Sequence, residues 1–145
     1  MCGLTAAGET LQFVIVELKT GWAIGSCLIF RYDKQSARAE IDYVMRRTHW
    51  KQGYTHEAIS ALISHAFKVY KLRRLEAEVD PANIASNNLL TKLGFSCEGC
   101  LRQHWYAQDG NYDTNIYGLL RDKWLAKPGI AQAFMFIDTG LKDYK

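Results

Sequence analysis

The chain has 145 residues and a mass of 16.5 kDa, is 48% apolar and 23% charged, and contains only 2 prolines. These proportions exclude the disordered, collagen-like and low-complexity classes and predict one globular domain over 1–145 with one core. Lys and Arg number 18 against 15 Asp and Glu, a net charge of +3 that falls short of a dedicated nucleic-acid binder, so nucleic acid is not an expected partner.

Residues 11–16 (LQFVIV) and 23–30 (AIGSCLIF) are β-branched, aromatic or apolar and are parted by Lys19, Thr20 and Gly21, which predicts a β-hairpin. After a polar stretch at 31–36, residues 37–45 (ARAEIDYVM) predict a third strand, with Ala39, Ile41, Tyr43 and Met45 on one face and Glu40, Asp42 and Val44 on the other. Beyond the loop RRTHWKQG, apolar residues at Ala58, Ile59, Leu62, Ile63, Ala66, Phe67 and Tyr70 follow the spacing of a helix that lays one stripe on a sheet. Residues 75–79 (LEAEV) read as a fourth strand, so the strands on either side of the helix run parallel. Asp80 and Pro81 end it. A second helix spans 84–93 and stops at Gly94, where left-handed backbone costs glycine little. Residues 95–107 and 112–120 form a last hairpin around Gln108, Asp109, Gly110 and Asn111. The order β-β-β-α-β-α-β-β makes the fold class α/β (α+β), a mixed sheet flanked by helices. The core covers about 11–125, and 126–145 is a C-terminal extension in which 131–137 (AQAFMFI) is a candidate extra strand.

Four cysteines, Cys2, Cys27, Cys97 and Cys100, are too sparse for a secreted disulfide scaffold. No run approaches the about 20 apolar residues of a membrane span, and the N-terminal residues lack a basic-then-apolar leader pattern. A cytoplasmic location without membrane contact is expected.

Two segments can carry chemistry. Trp50, Lys51, Gln52, Gly53, Tyr54 and Thr55 lie at a strand–loop–helix junction, where first-turn N–H groups have no intrahelical partner and a glycine lets the loop wrap a phosphate. An ordinary glycine-containing loop has the same appearance. The second segment begins at Asn83, with Ser86 three residues later and Gly94-Phe95 eight after that. Glu98-Gly99, Leu101-Arg102, Asp109-Gly110 and the pair Asp113 and Tyr117 follow.

That second pattern resembles the latter half of a GCN5-related N-acetyltransferase (GNAT) domain, most closely its RimJ/RimL-type branch, over about 13–124. The resemblance implies a mostly antiparallel sheet with a central splayed parallel pair, and direct acetyl transfer from acetyl-CoA to a primary amine, a protein N-terminus or small amine, without a metal. The family's phosphate-loop pattern, Gln/Arg-x-x-Gly-x-Gly/Ala, is met at Gly53, with Trp50 and Thr55 standing at the departing positions; cofactor affinity is what these departures touch. The resemblance assigns Trp50 to Thr55 to the pyrophosphate, and backbone groups near Val44 and Met45 to the pantetheine, where ligands of open α/β sheets also lie. It makes Glu40 the acceptor of the ammonium proton and Ser86 the donor to the departing sulfur, while Asn83 caps its helix and faces the pantetheine. The bland alternatives are a solvated strand carboxylate for Glu40 and a helix cap for Ser86. Asp42 is an alternative base, and His104 and Tyr106 are expected to border the acceptor. His49, His56 and His65 show no metal-ligand grouping, and alternation sets Cys97 and Cys100 on opposite faces, against a zinc or redox pair.

The family opens with a strand and helices that wall the acceptor pocket, and only about ten residues precede the first strand here. The wall is expected from 131–137 or from a partner copy in a homodimer. The competing classes are a CoA-binding sensor without turnover and an RNA- or ribosome-binding module built on Arg102, Trp105 and Tyr106.

Overall fold

The hairpin patterning produces β1 (Leu11–Glu17) and β2 (Ala23–Asp33), paired antiparallel, and β2 pairs in turn with β3 (Arg38–Met45). A 3-10 turn at Arg47–His49 leads to helix α1 (Tyr54–Lys68), which returns the chain to β4 (Arg74–Val79), parallel to β3. Helix α2 (Ile84–Leu93) then leads to the hairpin of β5 (Ser96–Ala107) and β6 (Gly110–Leu120), followed by a short α3 (Arg121–Leu125). The candidate strand at 131–137 contributes β7 (Phe134–Asp138), which runs antiparallel to β1 from Phe13 opposite Asp138 to Glu17 opposite Phe134. The computed structural model describes residues 10–126 and the backbone of 134–138.

The strands form one sheet in the order β5-β6-β4-β3-β2-β1-β7. From β3, both helical crossovers advance the same way across this sheet, and right-handed connections therefore put α1 and α2 on one face. The core lies on that face. Ala58, Ile59, Leu62, Ile63, Ala66 and Phe67 of α1 are buried against Ile15, Ile24, Cys27, Ile29, Ala39, Ile41 and Leu75. Each large side chain sunk there contributes roughly 1.5–3 kcal/mol. Gly94 closes α2 at φ 104°, a left-handed C-terminal cap that a β-carbon would strain.

Alternation breaks in β5. Cys97 stands opposite Tyr117 and Cys100 opposite Asn115, with a bulge between Cys97 and Gly99. Tyr117 and Asn115 are two apart in β6, so the extra residue brings both cysteines to the same face, correcting the expectation that they point apart.

Candidate active site

β3 and β4 are paired only from Arg38 opposite Arg74 to Glu40 opposite Glu76, whereas β3 runs on to Met45 and β4 to Val79. Beyond Glu40 the strands part, and a slot opens through the sheet. The Arg46 N–H donates to the Ile24 carbonyl at 2.7 Å and the Arg73 N–H to the Ala37 carbonyl at 2.7 Å. Alternation from these bonds turns the backbone groups of Val44 toward β2 and those of Tyr43 and Met45 toward the slot. The expectation that Val44 and Met45 turn free backbone groups to the slot is thereby corrected: Val44 bonds toward β2, and Tyr43 and Met45 face the slot. Two of these groups already have partners. The Trp50 indole N–H donates to the Met45 carbonyl at 2.8 Å, and the Tyr43 N–H donates to Asp42 Oδ1 at 2.8 Å. Trp50, a departure from the family pattern, thus braces the strand end to the loop.

On the helix-covered face, the slot meets the start of α1. Gly53 holds φ 79° and the helix end has no side-chain cap; a β-carbon on Gly53 would meet nothing, so glycine is required by the backbone conformation alone. Lys51 takes a left-handed φ of 60° beside it. Gln52 donates to the Thr48 carbonyl at 3.0 Å and braces the loop, Tyr54 is half-buried against the core, and Thr55 is half-buried in the first turn. Arg46, Arg47 and Lys51 are exposed around this turn, with the Arg47 guanidinium 5.4 Å from the Trp50 ring. The two arginines were readable as a charge run, yet only their place beside the uncapped helix end gives them meaning.

Across the slot, Asn83 caps α2, its side-chain oxygen accepting the Ser86 N–H at 3.2 Å. Capping therefore belongs to Asn83, and the cap reading of Ser86 falls. The Ser86 hydroxyl accepts the Tyr43 O–H at 3.2 Å, joining the two banks of the slot, and burial pushes the Tyr43 hydroxyl above its ordinary pKa. Asn87 accepts from Asn115 Nδ2 at 3.0 Å and from the Tyr117 O–H at 2.6 Å, and donates to the Asn83 carbonyl at 2.7 Å. It fixes the start of α2 to β6.

On the opposite face lies a cavity of about 540 Å³ whose lining includes Glu40, Asp42, Glu78, Asp80 and Asp113, with Arg31 as its one basic residue among the described residues. Glu40 is 7% exposed and accepts from Arg31 Nη1 at 3.0 Å; the same Nη1 is 3.4 Å from Glu78. Burial first, and then the charge of Glu78, push the Glu40 carboxyl up to about 7 against the pull of Arg31. The solvated-carboxylate reading of Glu40 is overturned by its burial. Trp105 and Tyr112 form the aromatic wall. His104 and Tyr106, expected at this border, are not in the lining: His104 bonds Thr114 at 2.9 Å and Tyr106 is 85% exposed. The one-residue bulge between Cys97 and Gly99 reverses the alternation and turns Trp105, opposite Tyr112, to the cavity face; the irregularity between Leu101 and Trp105 adds two residues and keeps that face. Among the described residues, no cluster of three or more His, Cys, Asp or Glu is placed to hold a metal. No helix among them is long and apolar enough to cross a membrane.

The profile of the acetyltransferase (GNAT) domain family matches residues 3–96. The chain belongs to this family. The GNAT chain is 36% identical over 121 residues to the uncharacterised N-acetyltransferase p20 of Bacillus licheniformis, covering 83% of itself and 68% of that protein. It is 39% identical over 100 residues to the uncharacterised N-acetyltransferase YoaA of Bacillus subtilis (strain 168), covering 69% and 56%. Against the ribosomal-protein-serine acetyltransferase of Escherichia coli (strain K12) it is 33% identical over 115 residues, covering 79% and 63%. It thus spans 56% to 68% of the length of these relatives. Its fold matches a spermidine N-acetyltransferase SpeG chimera from Vibrio cholerae and hSSAT with a TM-score of 0.78 at 19% identity, over 82% of this chain and 74% of the other. The mostly antiparallel sheet with one parallel pair is the GNAT fold.

Proposed function

We propose that this GNAT chain is an acetyl-CoA-dependent N-acetyltransferase of the RimJ/RimL type that moves acetyl directly to a primary amine, a protein N-terminus or a small amine. One observation carries the reading: the β3–β4 slot opens at Glu40, with an uncapped helix end and Ser86 on one face and an acidic cavity on the other. Two substrates entering from opposite faces meet in such a slot, which is what direct transfer requires.

The residues present fit acetyl-CoA. The first-turn amides of α1 and the loop from Trp50 to Thr55, with Lys51 adding charge, suit a diphosphate. Backbone of Tyr43 and Met45, with Asn83 across the slot, suits the pantetheine. When bound, acetyl-CoA supplies an activated acyl group whose bond to sulfur breaks as the bond to the amine nitrogen forms. Glu40 takes the ammonium proton, directly or through one water, because a carboxyl balanced near neutrality can both accept and release it at working pH. Ser86 gives a proton to the departing sulfur; since its oxygen accepts from Tyr43, its own hydrogen is left to point outward. The carboxylates of the cavity draw a cationic amine toward Glu40.

We read the chain as one domain whose C-terminal extension adds β7 to the sheet. We also propose a homodimer through the exposed edge strand β5, which shows Leu101, Trp105 and Tyr106 to solvent; light scattering that gives a monomer removes it. Trp105 serves as cavity wall, which favours the enzyme over an RNA-stacking surface.

The test is thiol release from acetyl-CoA in the presence of spermidine, a peptide with N-terminal serine and a panel of other amines, alongside calorimetric titration of acetyl-CoA. Binding with release on at least one amine is expected. Binding without release on every amine makes the chain a CoA sensor, and no binding removes the proposal.

A further inference from the structure

β2 contains an irregularity that the reaction as described does not explain. Phe30 stands opposite Glu40 and Asp33 opposite Arg38, so Arg31 and Tyr32 together face the single residue Ala39. In a regular strand, residue 31 would turn to the helix-covered face where Ala39 is buried. The bulge gives that place to Tyr32, which is buried in the core, and Arg31 adopts a left-handed φ of 53°. A long side chain rarely accepts that backbone, and strain of this kind collects where the position of a side chain matters. Here the result is specific. The guanidinium comes to the cavity face, 3.0 Å from Glu40 and 3.4 Å from Glu78. Glu40 is the last residue of β3 paired with β4, and Glu78 sits on β4 two residues past the last pair. Arg31 therefore joins both banks of the slot at its root.

We propose that Arg31 is a positioning residue, which clamps Glu40 against Glu78 at the root of the slot and keeps Glu40 ionised so that it can receive a proton. This rests on Glu40 as the base of the proposed transfer only for its catalytic consequence; the clamp itself is electrostatic. Glu78 and Glu76 on β4 oppose its ionisation, and Asp42, Asp80 and Asp113 share the cavity lining. The nearest other cations on these strands have acidic partners of their own, Arg38 with Asp33 and Arg74 with Glu76 and Glu98. Arg31 is the one cation among the described residues of the lining, so its removal leaves the cavity around Glu40 without a cation.

The experiment follows the Glu40 side-chain carboxyl by NMR in protein carrying carbon-13 glutamate, assigned by the signal that vanishes in Glu40→Gln, and titrates it in the parent, Arg31→Gly and Arg31→Lys. Glycine suits the left-handed backbone, so Arg31→Gly removes the charge without unfolding the bulge. Expected is a Glu40 midpoint higher by about one pH unit in Arg31→Gly and largely restored in Arg31→Lys. The acid limb of kcat/KM, measured with the best amine of the panel, moves by the same amount. An unmoved midpoint in Arg31→Gly overturns the clamp and leaves Glu40 as base intact. A midpoint that moves while the acid limb stays supports the clamp and overturns Glu40 as the base.

Discussion

The two faces of the sheet at the β3–β4 slot solve opposite problems by opposite means. On the helix-covered face the groups are backbone amides, a glycine in left-handed conformation, and the hydroxyls of Tyr43 and Ser86, with basic side chains kept in solvent. On the other face a buried carboxylate and its carboxylate neighbours are held around one guanidinium. In the proposed reading a diphosphate brings its own charge and needs only dipoles and donors, so that face would tolerate Trp50 and Thr55 in place of the usual residues. Proton removal needs a charge whose stability is adjustable, which demands burial and named neighbours. The backbone face should therefore lose less on substitution than the side-chain face.

The sharpest break of that contrast is Glu40→Gln, which is expected to lower kcat/KM by about a hundredfold or more. Calorimetry should find acetyl-CoA affinity unchanged within about twofold, because no cofactor contact is assigned to Glu40; equal losses in both would merge the two faces into one. Ser86→Ala should reduce kcat about tenfold in single-turnover thiol release, below the usual effect of a proton donor because a thiolate leaves readily. Gly53→Ala should weaken acetyl-CoA binding about fivefold to tenfold with saturated kcat preserved, since a β-carbon at φ 79° costs about 1–2 kcal/mol.

Stability provides a subtler probe. Folding raises the Glu40 carboxyl from 4.5 to about 7, so between those values the folded chain holds more protons than the unfolded one. Stability is then greatest below the unfolded value and declines as pH climbs through that window. Glu40→Gln abolishes the decline and should gain about 2 kcal/mol in denaturant melts at pH 8 and nothing at pH 4. A variant that is inactive but more stable would mark Glu40 as a residue kept for chemistry at the expense of the fold. Smallest is Asn83→Ala, which removes the cap of α2 and should lower stability by about 1 kcal/mol in the same melts.

The amino-acid order alone was enough for the succession of strands and helices as far as Leu120, though not for the short α3, because side-chain period is a local property: the stripe on α1, the alternation of β3 and the stop at Gly94 each lie within a few residues. The family pattern from Asn83 to Tyr117 was legible for the same reason, its residues being close in the chain. Glu40 and Ser86 came from that resemblance, while their surroundings did not. The tertiary structure alone decided that Tyr43 rather than Val44 faces the slot, that Trp105 rather than Tyr106 enters the cavity, and that Arg31 reaches Glu40 and Glu78. Each of these depends on a register or a bulge set by pairing between distant strands. One extra residue reverses every face that follows, and that choice is made by the partner strand rather than by the residues themselves.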